Sequence, residues 1–272
     1  MNRLVIIGNG FDMAHGLRTS YMDFINWYWD QRVYGFIGNT TNVSQDCLCK
    51  LVIKETGDFS CWNVFAASNS YFFKDLYQKE RYSGSEVFQE IKQHPETFMV
   101  ECSPFFETIL QSIESKGWVD IENDYYQLLK DSINNPRCEY TITGLNQQLA
   151  FIQSKLVEYL STIKEGEYKS EYQKAITDYF NPDDFSTEGR VRALDNMGLD
   201  FDRPYDKQYF QEEHEKLAPE RIMLLSFNYT KTAQLYGGSN VVHNYIHGGL
   251  TRPETIIGGY GDELDTNYQD ML

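Results

Sequence analysis

Residues 4–12 read LVIIGNGFD, and this stretch decides the fold because it joins a strand to a glycine-containing turn. Residues 4–7 are apolar and mostly β-branched, which predicts a short buried strand. In α/β folds, a strand that ends in such a turn presents backbone N–H groups to a phosphate. We expect Gly8 to allow a sharp turn and Gly10 to let a ligand approach the backbone. The stretch therefore predicts a nucleotide pocket at the carboxyl end of the first strand.

The glycine spacing leaves a second interpretation open. Gly8, Gly10 and Gly16 follow the pattern G-x-G-x(5)-G, whereas the dinucleotide fingerprint is G-x-G-x-x-G. The fingerprint also needs an acidic residue about twenty positions further on, at the end of a second strand. Asp30 lies there, but within an aromatic-rich helical pattern. An ordinary glycine turn explains the stretch equally well.

Composition limits the classes of partner. The chain has 272 residues, which suits one large domain or two small ones. Its 24 basic and 40 acidic side chains give a formal charge of −16, and no basic run interrupts this surface. We therefore expect neither nucleic acid nor a membrane surface as a partner. The sequence has no apolar run of membrane-helix length and no signal-peptide pattern, which predicts a cytoplasmic protein.

The five cysteines are an odd number for a chain of this size. In a reducing compartment they are expected to be free thiols. Cys47, Cys49 and Cys61 lie close together in sequence, but no fourth ligand stands near them at a zinc-like spacing. We therefore predict no metal site.

The ends of the chain have α/β character, and the middle is helical. Residues 1–35 and 218–272 are predicted to form a nucleotide-binding core, and residues 36–217 a mainly helical insertion. Within that insertion, residues 38–84 are predicted to be loops and short helices. Residues 181–219 are rich in Asp, Glu, Pro and Gly, which predicts a surface loop with short helical pieces.

Two helices have clear sequence signals. One begins near Ser20, with Asp23 three residues later as its capping partner. The other covers residues 144–164. Its apolar side chains recur at helical spacing at Leu145, Leu149, Ile152, Leu156, Leu160 and Ile163.

Three further strands are predicted, at residues 222–227, 241–247 and 255–257. Each predicted strand delivers polar or glycine residues at its carboxyl end. In a parallel sheet those ends lie along one edge, where α/β folds bind ligands. The residues concerned are Asp12, Ser226, Asn228, His247, Gly248, Gly261 and Asp262.

Several of these residues also have purely structural explanations. Asn228 could cap a helix after a strand, and His247 could be a hydrogen-bonded structural histidine. A metal site shared by His243 and His247 is not predicted, because four residues of a strand span about 13 Å. Asp120 and Glu122 are either the first-turn acids of a helix or carboxylates that reach over the pocket.

With these residues laid out, the chain resembles the AbiH family of bacterial abortive-infection proteins. The matching pieces run in family order over nearly the whole sequence. They are residues 4–17, Thr19–Tyr21 with Phe24, and residues 118–122, 226–230, 246–248, 256–258 and 261–263. The family in turn resembles the sirtuin-like superfamily, whose members bind NAD on a Rossmann-like fold. The resemblance implies an α/β, Rossmann-like parallel sheet with a large helical insertion, and a role in antiphage defence.

The superfamily pattern also implies roles for individual residues. It has a G-x-G first turn, a strand-end Asn and a strand-end His-Gly, so Asn228 and His247 would be the catalytic pair. Asp12 would help to orient the ribose or the nicotinamide. The implied nucleotide contacts are Gly8, Asn9, Gly10, Phe11, Ser226, Gly248 and Asp262. The implied reaction is hydrolysis of NAD, a small-molecule substrate, at the nicotinamide–ribose bond.

The chain departs from the family pattern at three places. Thr230 stands where many relatives carry Asp, and Arg18 stands where family members often have Pro. Family members usually continue to a further strand beyond residues 261–263, which leaves open whether this chain is truncated.

Other functions remain open at this stage. A nucleotide-binding sensor would keep Gly8 and Gly10 but would need neither Asn228 nor His247. Phosphoryl transfer would need Mg²⁺, for which Asp262 and Glu263 are the strand-end carboxylates. A deacetylase is disfavoured, because there is no four-cysteine zinc module. The sequence also leaves open the exact nucleotide, and whether the partner is a second copy of the chain or a phage-derived trigger.

Overall fold

The computed structural model describes residues 1–37, 42–54, 82–116, 121–135, 137–181, 183, 185–212 and 217–256. Six strands lie in these ranges: β1 (Asn2–Ile7), β2 (Val43–Gln45), β3 (Cys49–Ile53), β4 (Phe98–Cys102), β5 (Arg221–Ser226) and β6 (Val241–Tyr245).

Nine α-helices lie in the same described ranges. They are α1 (Asn9–Ala14), α2 (Tyr21–Ile37), α3 (Gly84–Lys92), α4 (Pro104–Lys116), α5 (Ile121–Asn134), α6 (Ile142–Thr162), α7 (Ser170–Thr177), α8 (Thr187–Asn196) and α9 (Pro204–Glu212). Two 3₁₀ helices cover Thr232–Leu235 and Pro253–Thr255.

The described residues form two compact units. The first contains Met1–Leu17 and Lys164–Ile256, and the second contains Arg18–Ile163. The boundaries of these units differ from those of the predicted domains. The predicted domain boundaries stay a prediction.

A three-stranded parallel sheet, ordered β1-β5-β6, organises the first unit. Ile7 pairs with Ser226, which pairs in turn with Tyr245, so the carboxyl ends of the three strands lie level with one another. The predicted α/β class with a parallel sheet is confirmed, and the Rossmann-like arrangement stays a prediction. The level strand ends are what place residues from both ends of the chain at one edge.

The strands of this sheet are buried on one face, whereas the sequence predicted buried strands without distinguishing their two faces. Ile7, Ile222 and Leu224 pack into a core with Tyr236. The alternate side chains remain exposed, with Leu4 at 57% and Ile6 at 68% of their free surface. Since successive side chains of a strand point to opposite faces, the two sets belong to the two faces of the sheet.

Two of the predicted strand boundaries were wrong. The strand expected at residues 241–247 ends at Tyr245. Of the strand expected at residues 255–257, the structure describes residues 255 and 256, and these do not form a strand. Thr255 is the last residue of the 3₁₀ helix that begins at Pro253. Pro253 has no N–H for a strand ladder and suits the first turn of a helix. The remainder of that expected strand lies outside the described residues.

The Asp- and Glu-rich segment after α7 contains two helices, as the sequence predicted. α8 and α9 are not merely surface pieces, however, because they bury a small core of their own. Its fully buried members are Ala193, Leu194, Phe210 and Leu217.

The second unit combines helices with an antiparallel sheet ordered β2-β3-β4. The sequence predicted loops and short helices at residues 38–84, so β2 and β3 correct that expectation. β2 has three residues, and β3 pairs with β4 roughly fifty positions further along the chain. Such short strands carry little periodic signal of their own.

The helices of this unit follow their predicted patterns. Ser20 accepts a hydrogen bond from the Asp23 N–H at 3.1 Å, and Asp23 accepts one in return from the Ser20 N–H at 3.3 Å, which confirms the predicted helix start. In α6, the predicted stripe is buried at Leu145, Ile152 and Leu160. No helix in the described ranges is long and apolar enough to cross a membrane.

Candidate functional site

The first strand leads directly into a helix at the carboxyl edge of the parallel sheet. Gly8 is the N-cap residue of α1, with φ −120° and ψ −175°. Any residue adopts this extended conformation, so the turn at this position does not depend on glycine. A Cβ atom at Gly8 or Gly10 would meet nothing within 4 Å. The two glycines instead leave the start of α1 uncovered.

The first amide groups of α1 face the same edge. Phe11 N–H donates back to the Gly8 carbonyl at 2.9 Å. The amides of the preceding positions of a helix have no intrahelical acceptor, which is why helix starts attract anions. The Gly10 amide therefore has no acceptor within the helix.

Asn228 ties the end of β5 to the start of α1. Its Nδ2 donates to the Gly8 carbonyl at 2.9 Å, and the residue is only 8% exposed. Ser226 holds the turn between them, since its hydroxyl accepts from the Asn228 N–H at 3.2 Å. The 3₁₀ helix that follows β5 has Lys231 as its N-cap residue, so the interpretation of Asn228 as its cap is wrong. The role of Ser226 as a nucleotide contact stays a prediction.

Asp12 is the most buried charged group at this edge, at 1% exposure. Its Oδ2 accepts a hydrogen bond from the Thr230 hydroxyl at 2.7 Å, and that hydroxyl lies 3.1 Å from the Thr232 hydroxyl. Its Oδ1 is buried and has no hydrogen-bond partner among the described residues. A buried acceptor without a donor is costly and calls for a partner. Sequence reasoning noted Thr230 as a departure from the family but missed its bond to Asp12.

The charge of Asp12 affects the pKa of Tyr245, the last residue of β6. Burial raises the pKa of the Tyr245 hydroxyl, an interaction with the Gln234 side chain lowers it in part, and the Asp12 carboxylate raises it again. A negative charge close to a phenol disfavours the phenolate. Tyr245 therefore stays neutral, and its electrostatic link to Asp12 was not indicated by the sequence.

His247 lies two residues beyond β6 and is half-buried. Its ring centroid lies 5.6 Å from that of Phe227 and 6.2 Å from that of Tyr229. These two aromatic residues flank Asn228, so His247 and Asn228 reach the same edge of the sheet. Within the part of the chain that the structure describes, no hydrogen bond to the His247 ring is found, and its catalytic role stays a prediction.

His243, by contrast, has a structural role. Its Nε2 lies 3.0 Å from the Ala233 carbonyl and 2.8 Å from the Tyr236 carbonyl. Carbonyl oxygens only accept, so Nε2 carries the proton and donates to both. This bond holds β6 against the 3₁₀ helix Thr232–Leu235.

Gly248 follows His247 and has a positive φ of 75°. A Cβ atom there would overlap the carbonyl group of Thr255. Both the left-handed backbone and the close approach therefore require glycine. Its role as a nucleotide contact stays a prediction.

A buried network that the sequence did not reveal anchors the end of α1. His15 Nδ1 donates to the Phe11 carbonyl at 2.6 Å, so its Nε2 accepts from the Tyr236 hydroxyl at 2.5 Å. The Lys169 N–H donates to the same hydroxyl at 3.1 Å. His15 and Tyr236 lie 221 residues apart. His15 falls within the matched stretch 4–17, but that pattern does not indicate Tyr236 as its partner.

The Phe11 side chain belongs to this network and not to the open edge. Its ring centroid lies 4.5 Å from that of His15 and 5.5 Å from that of Tyr236. The ring packs inward, so a nucleotide contact by Phe11, which stays a prediction, would involve its backbone.

Three predicted carboxylates are not placed at this edge. Asp120 and Asp262 lie outside the described residues. Glu122 lies in the first turn of α5, in the second unit, as its structural interpretation expected. Within the described ranges, no three His, Cys, Asp or Glu side chains come together in a way that would hold a metal ion.

Comparison with known proteins gives one match. The family described as Bacteriophage abortive infection AbiH matches residues 4–271. No curated protein and no solved structure matches the chain. The family match takes in both compact units and all the site residues described above.

Proposed function

The chain belongs to the AbiH family of bacteriophage abortive infection proteins, and we propose that it acts in phage defence by hydrolysing NAD at the nicotinamide–ribose bond. Membership of the family indicates the role in abortive infection. The chemistry is our proposal, and the arrangement of Asp12, Asn228 and His247 at the sheet edge supports it.

The unpartnered Oδ1 of Asp12 is the observation that carries the proposal. This oxygen is buried at the edge where α/β sheets bind ligands, and Thr230 already occupies the other carboxylate oxygen. Cleavage of a nicotinamide–ribose bond passes through a state with oxocarbenium character, as glycoside cleavage does. A buried carboxylate stabilises such developing positive charge strongly, because the surroundings screen it weakly. In the ground state, Asp12 would also accept a hydrogen bond from a ribose hydroxyl.

The reaction itself balances with water as the second substrate. The bond between the ribose carbon and the pyridinium nitrogen breaks, and its electron pair neutralises the nicotinamide ring. Water forms the new C–O bond and loses a proton, which leaves ADP-ribose and nicotinamide as products.

His247 would take the proton from the attacking water. Imidazole titrates near neutrality, which suits a general base. Its half-buried ring lies near Phe227 and Tyr229, the two neighbours of Asn228, and is partly accessible to solvent. Asn228 would orient the water or a ribose hydroxyl through Oδ1, since its Nδ2 is committed to Gly8.

The start of α1 would hold the pyrophosphate. The open space at Gly8 and Gly10 suits a group that approaches the backbone closely. The chain carries a formal charge of −16, so this local donor set would have to attract the anionic ligand.

Nicotinamide release from NAD by the purified full chain tests the proposal. We expect His247→Ala and Asn228→Ala to lose about 10²–10⁴-fold in turnover, the usual contribution of acid–base and orienting groups. Asp12→Asn should lose turnover too, because it removes the charge and keeps the shape. His94→Ala, in the second unit, and Asn196→Ala, at the exposed end of α8, are matched controls that should keep full turnover.

Two results would overturn the proposal. NAD binding with no nicotinamide release, even in the presence of a phage lysate, would favour a nucleotide sensor. Release that persists in both His247→Ala and Asn228→Ala would place the chemistry elsewhere. In cells, the same variants should no longer deplete NAD and should no longer protect against phage.

A further inference from the structure

Cys49 and Cys102 face each other across the antiparallel pair of β3 and β4. The register places the two residues directly opposite one another. The Ser103 N–H donates to the Leu48 carbonyl at 2.7 Å, which marks the neighbouring pair as hydrogen-bonded. Bonded and non-bonded pairs alternate along an antiparallel ladder, so Cys49 and Cys102 form a non-bonded pair, in which opposing side chains lie closest.

The two sulfur atoms are already in contact. Their Sγ atoms lie 3.6 Å apart, and both thiols are free. Opposing Cα atoms of a non-bonded pair lie about 4.5 Å apart, which is within the range that disulfides span. The sulfurs need to approach by about 1.5 Å to reach bonding distance, and side-chain rotation alone can supply this.

The two thiols differ in their access to solutes. Cys49 is buried at 2% exposure. Cys102 is only partly buried and lines a cleft of about 370 Å³, together with Lys92 and Glu107. A small molecule in this cleft would meet Cys102 first and would find Cys49 directly behind it.

The surroundings also separate the acidities of the two thiols. In the neutral pair either thiol can donate, but once Cys102 loses its proton the Cys49 S–H must donate to it. This bond lowers the pKa of Cys102, and the Lys92 ammonium lowers it further, against the opposing effects of burial and Glu107. The same bond and burial raise the pKa of Cys49. Cys102 is therefore suited to attack, because the thiolate is the nucleophile.

We propose that Cys49 and Cys102 form a reversible dithiol–disulfide site that a peroxide oxidises. The Cys102 thiolate attacks one oxygen of hydrogen peroxide, so the O–O bond breaks, an S–O bond forms and the other oxygen leaves as hydroxide. Cys49 then attacks the resulting sulfenic sulfur. An S–S bond forms, and the sulfenic oxygen leaves as water with the Cys49 proton. Each sulfur gives up one electron, and both go to the peroxide.

The site is independent of the proposed NAD chemistry, because it lies in the second unit. The Cys49–Cys102 disulfide would link β3 covalently to β4 and close a loop between positions 53 residues apart. Such a loop constrains the unfolded chain, so the oxidised protein should melt several degrees higher than the reduced one. A thiol reductant should reverse the change.

Mass spectrometry of the folded, full-length protein tests the site. The reduced protein is treated with hydrogen peroxide, the remaining thiols are alkylated, and the protein is digested with trypsin without reductant. Trypsin releases Cys49 in residues 33–50 and Cys102 in residues 93–116. We expect one cross-linked species that joins these peptides and has lost two hydrogen atoms. Because Cys47 shares the first peptide, fragmentation and the control Cys47→Ser must assign the link to Cys49.

Single substitutions separate the roles of the two thiols. Cys49→Ala should accumulate a sulfenic acid at Cys102, which dimedone traps, whereas Cys102→Ala should form neither the link nor the adduct at the same peroxide concentration. Cys47→Ser should behave as the parent does. The inference is overturned if the link joins Cys47 or Cys61, if oxidation of Cys49 persists in Cys102→Ala, or if the disulfide forms only after the protein is unfolded in urea.

Discussion

The side chain of Asn228 donates a 2.9 Å hydrogen bond to the carbonyl of Gly8, which lies 220 residues earlier in the chain. This bond joins the end of β5 to the first residue before α1. It brings the two glycines of the first turn and the Asn-containing second turn to one edge of the sheet. Because the donor is buried, its loss has consequences that can be measured.

Replacing Asn228 by Asp tests this link. The carboxylate has no N–H to donate and places a negative charge beside the Gly8 carbonyl. We expect the free energy of unfolding to fall by about 1–3 kcal/mol, the cost of an unsatisfied buried group. Urea denaturation measures the change. Asn196→Asp, at an exposed position, should stay within about 0.5 kcal/mol of the parent. Equal losses in both variants would contradict the role given to the Asn228–Gly8 bond.

Asp12 and Thr230 should be energetically coupled. Thr230→Val removes the hydroxyl that donates to Asp12 and leaves a buried carboxylate with no donor among the described residues. We expect this variant to lose about 1–3 kcal/mol of stability. In the double variant with Asp12→Ala, the loss should be smaller than the sum of the single losses by about 0.5–3 kcal/mol. Strict additivity in this double-mutant cycle would argue against the contact.

Thr232 provides the control for that cycle. Its hydroxyl lies 3.1 Å from the Thr230 hydroxyl but makes no hydrogen bond to Asp12 within the described residues. Thr232→Val should therefore couple more weakly to Asp12→Ala than Thr230→Val does.

The glycines of the first unit should differ in their tolerance of alanine. At Gly248, alanine meets both a positive φ and the Thr255 carbonyl. At Gly16, with φ 78°, the surrounding space is open, so only backbone strain of about 1–2 kcal/mol is expected. Gly237 has neither problem. Thermal melting should rank Gly248→Ala below Gly16→Ala, and both below Gly237→Ala, and any other order would contradict the conformation assigned to Gly248.

Tyr159 should make stability depend on pH in the alkaline range. Its hydroxyl donates to the Arg18 carbonyl at 2.6 Å. Burial, with a contribution from Asp23, raises the pKa of Tyr159 from 10.0 to about 12. The unfolded chain therefore loses this proton at lower pH than the folded protein. The stability that Tyr159 contributes is fully present below pH 10 and is lost as pH rises towards 12.

Denaturation at several pH values between 9 and 12 checks this sign. Tyr159→Phe should lose stability with pH less steeply than the parent over that range, because it has no proton to release. Tyr205→Phe, at a side chain that is 76% exposed, is the control and should follow the parent. Parallel curves for Tyr159→Phe and the parent would contradict the prediction.

Local patterns were sufficient where one segment carries its own signal. Residues 4–7 predicted a strand, Ser20 and Asp23 predicted a helix start, and the apolar stripe after Leu145 predicted a long helix; all three were confirmed. In each case the periodicity or the cap involves neighbours within a few residues. The parallel arrangement of the first strand with β5 and β6 was also anticipated, as part of the fold that the family resemblance implied.

Other features could not be predicted from the sequence, because the residues that pair in them are far apart along the chain. β2, β3 and β4 are short strands that become recognisable through their pairing with one another. The exposure of Leu4 and Ile6 could not be read from residue type, because an apolar run fits a strand covered on both faces as well as on one. The donor to Asp12 comes from Thr230, 218 positions away, and the partner of His15 comes from Tyr236.

The sequence by itself determined the residue types at the site: a glycine-framed strand end, Asp12, Asn228 and His247. It also determined the family, since those residues recur in a characteristic order. The tertiary structure alone decided which of their atoms are engaged and which are free. Asn228 Nδ2 bonds to Gly8, while Oδ1 of Asp12 is buried without a partner among the described residues. The physical reason is that residue type specifies hydrogen-bonding capacity, whereas folding decides which donors come within reach and which groups lose access to water.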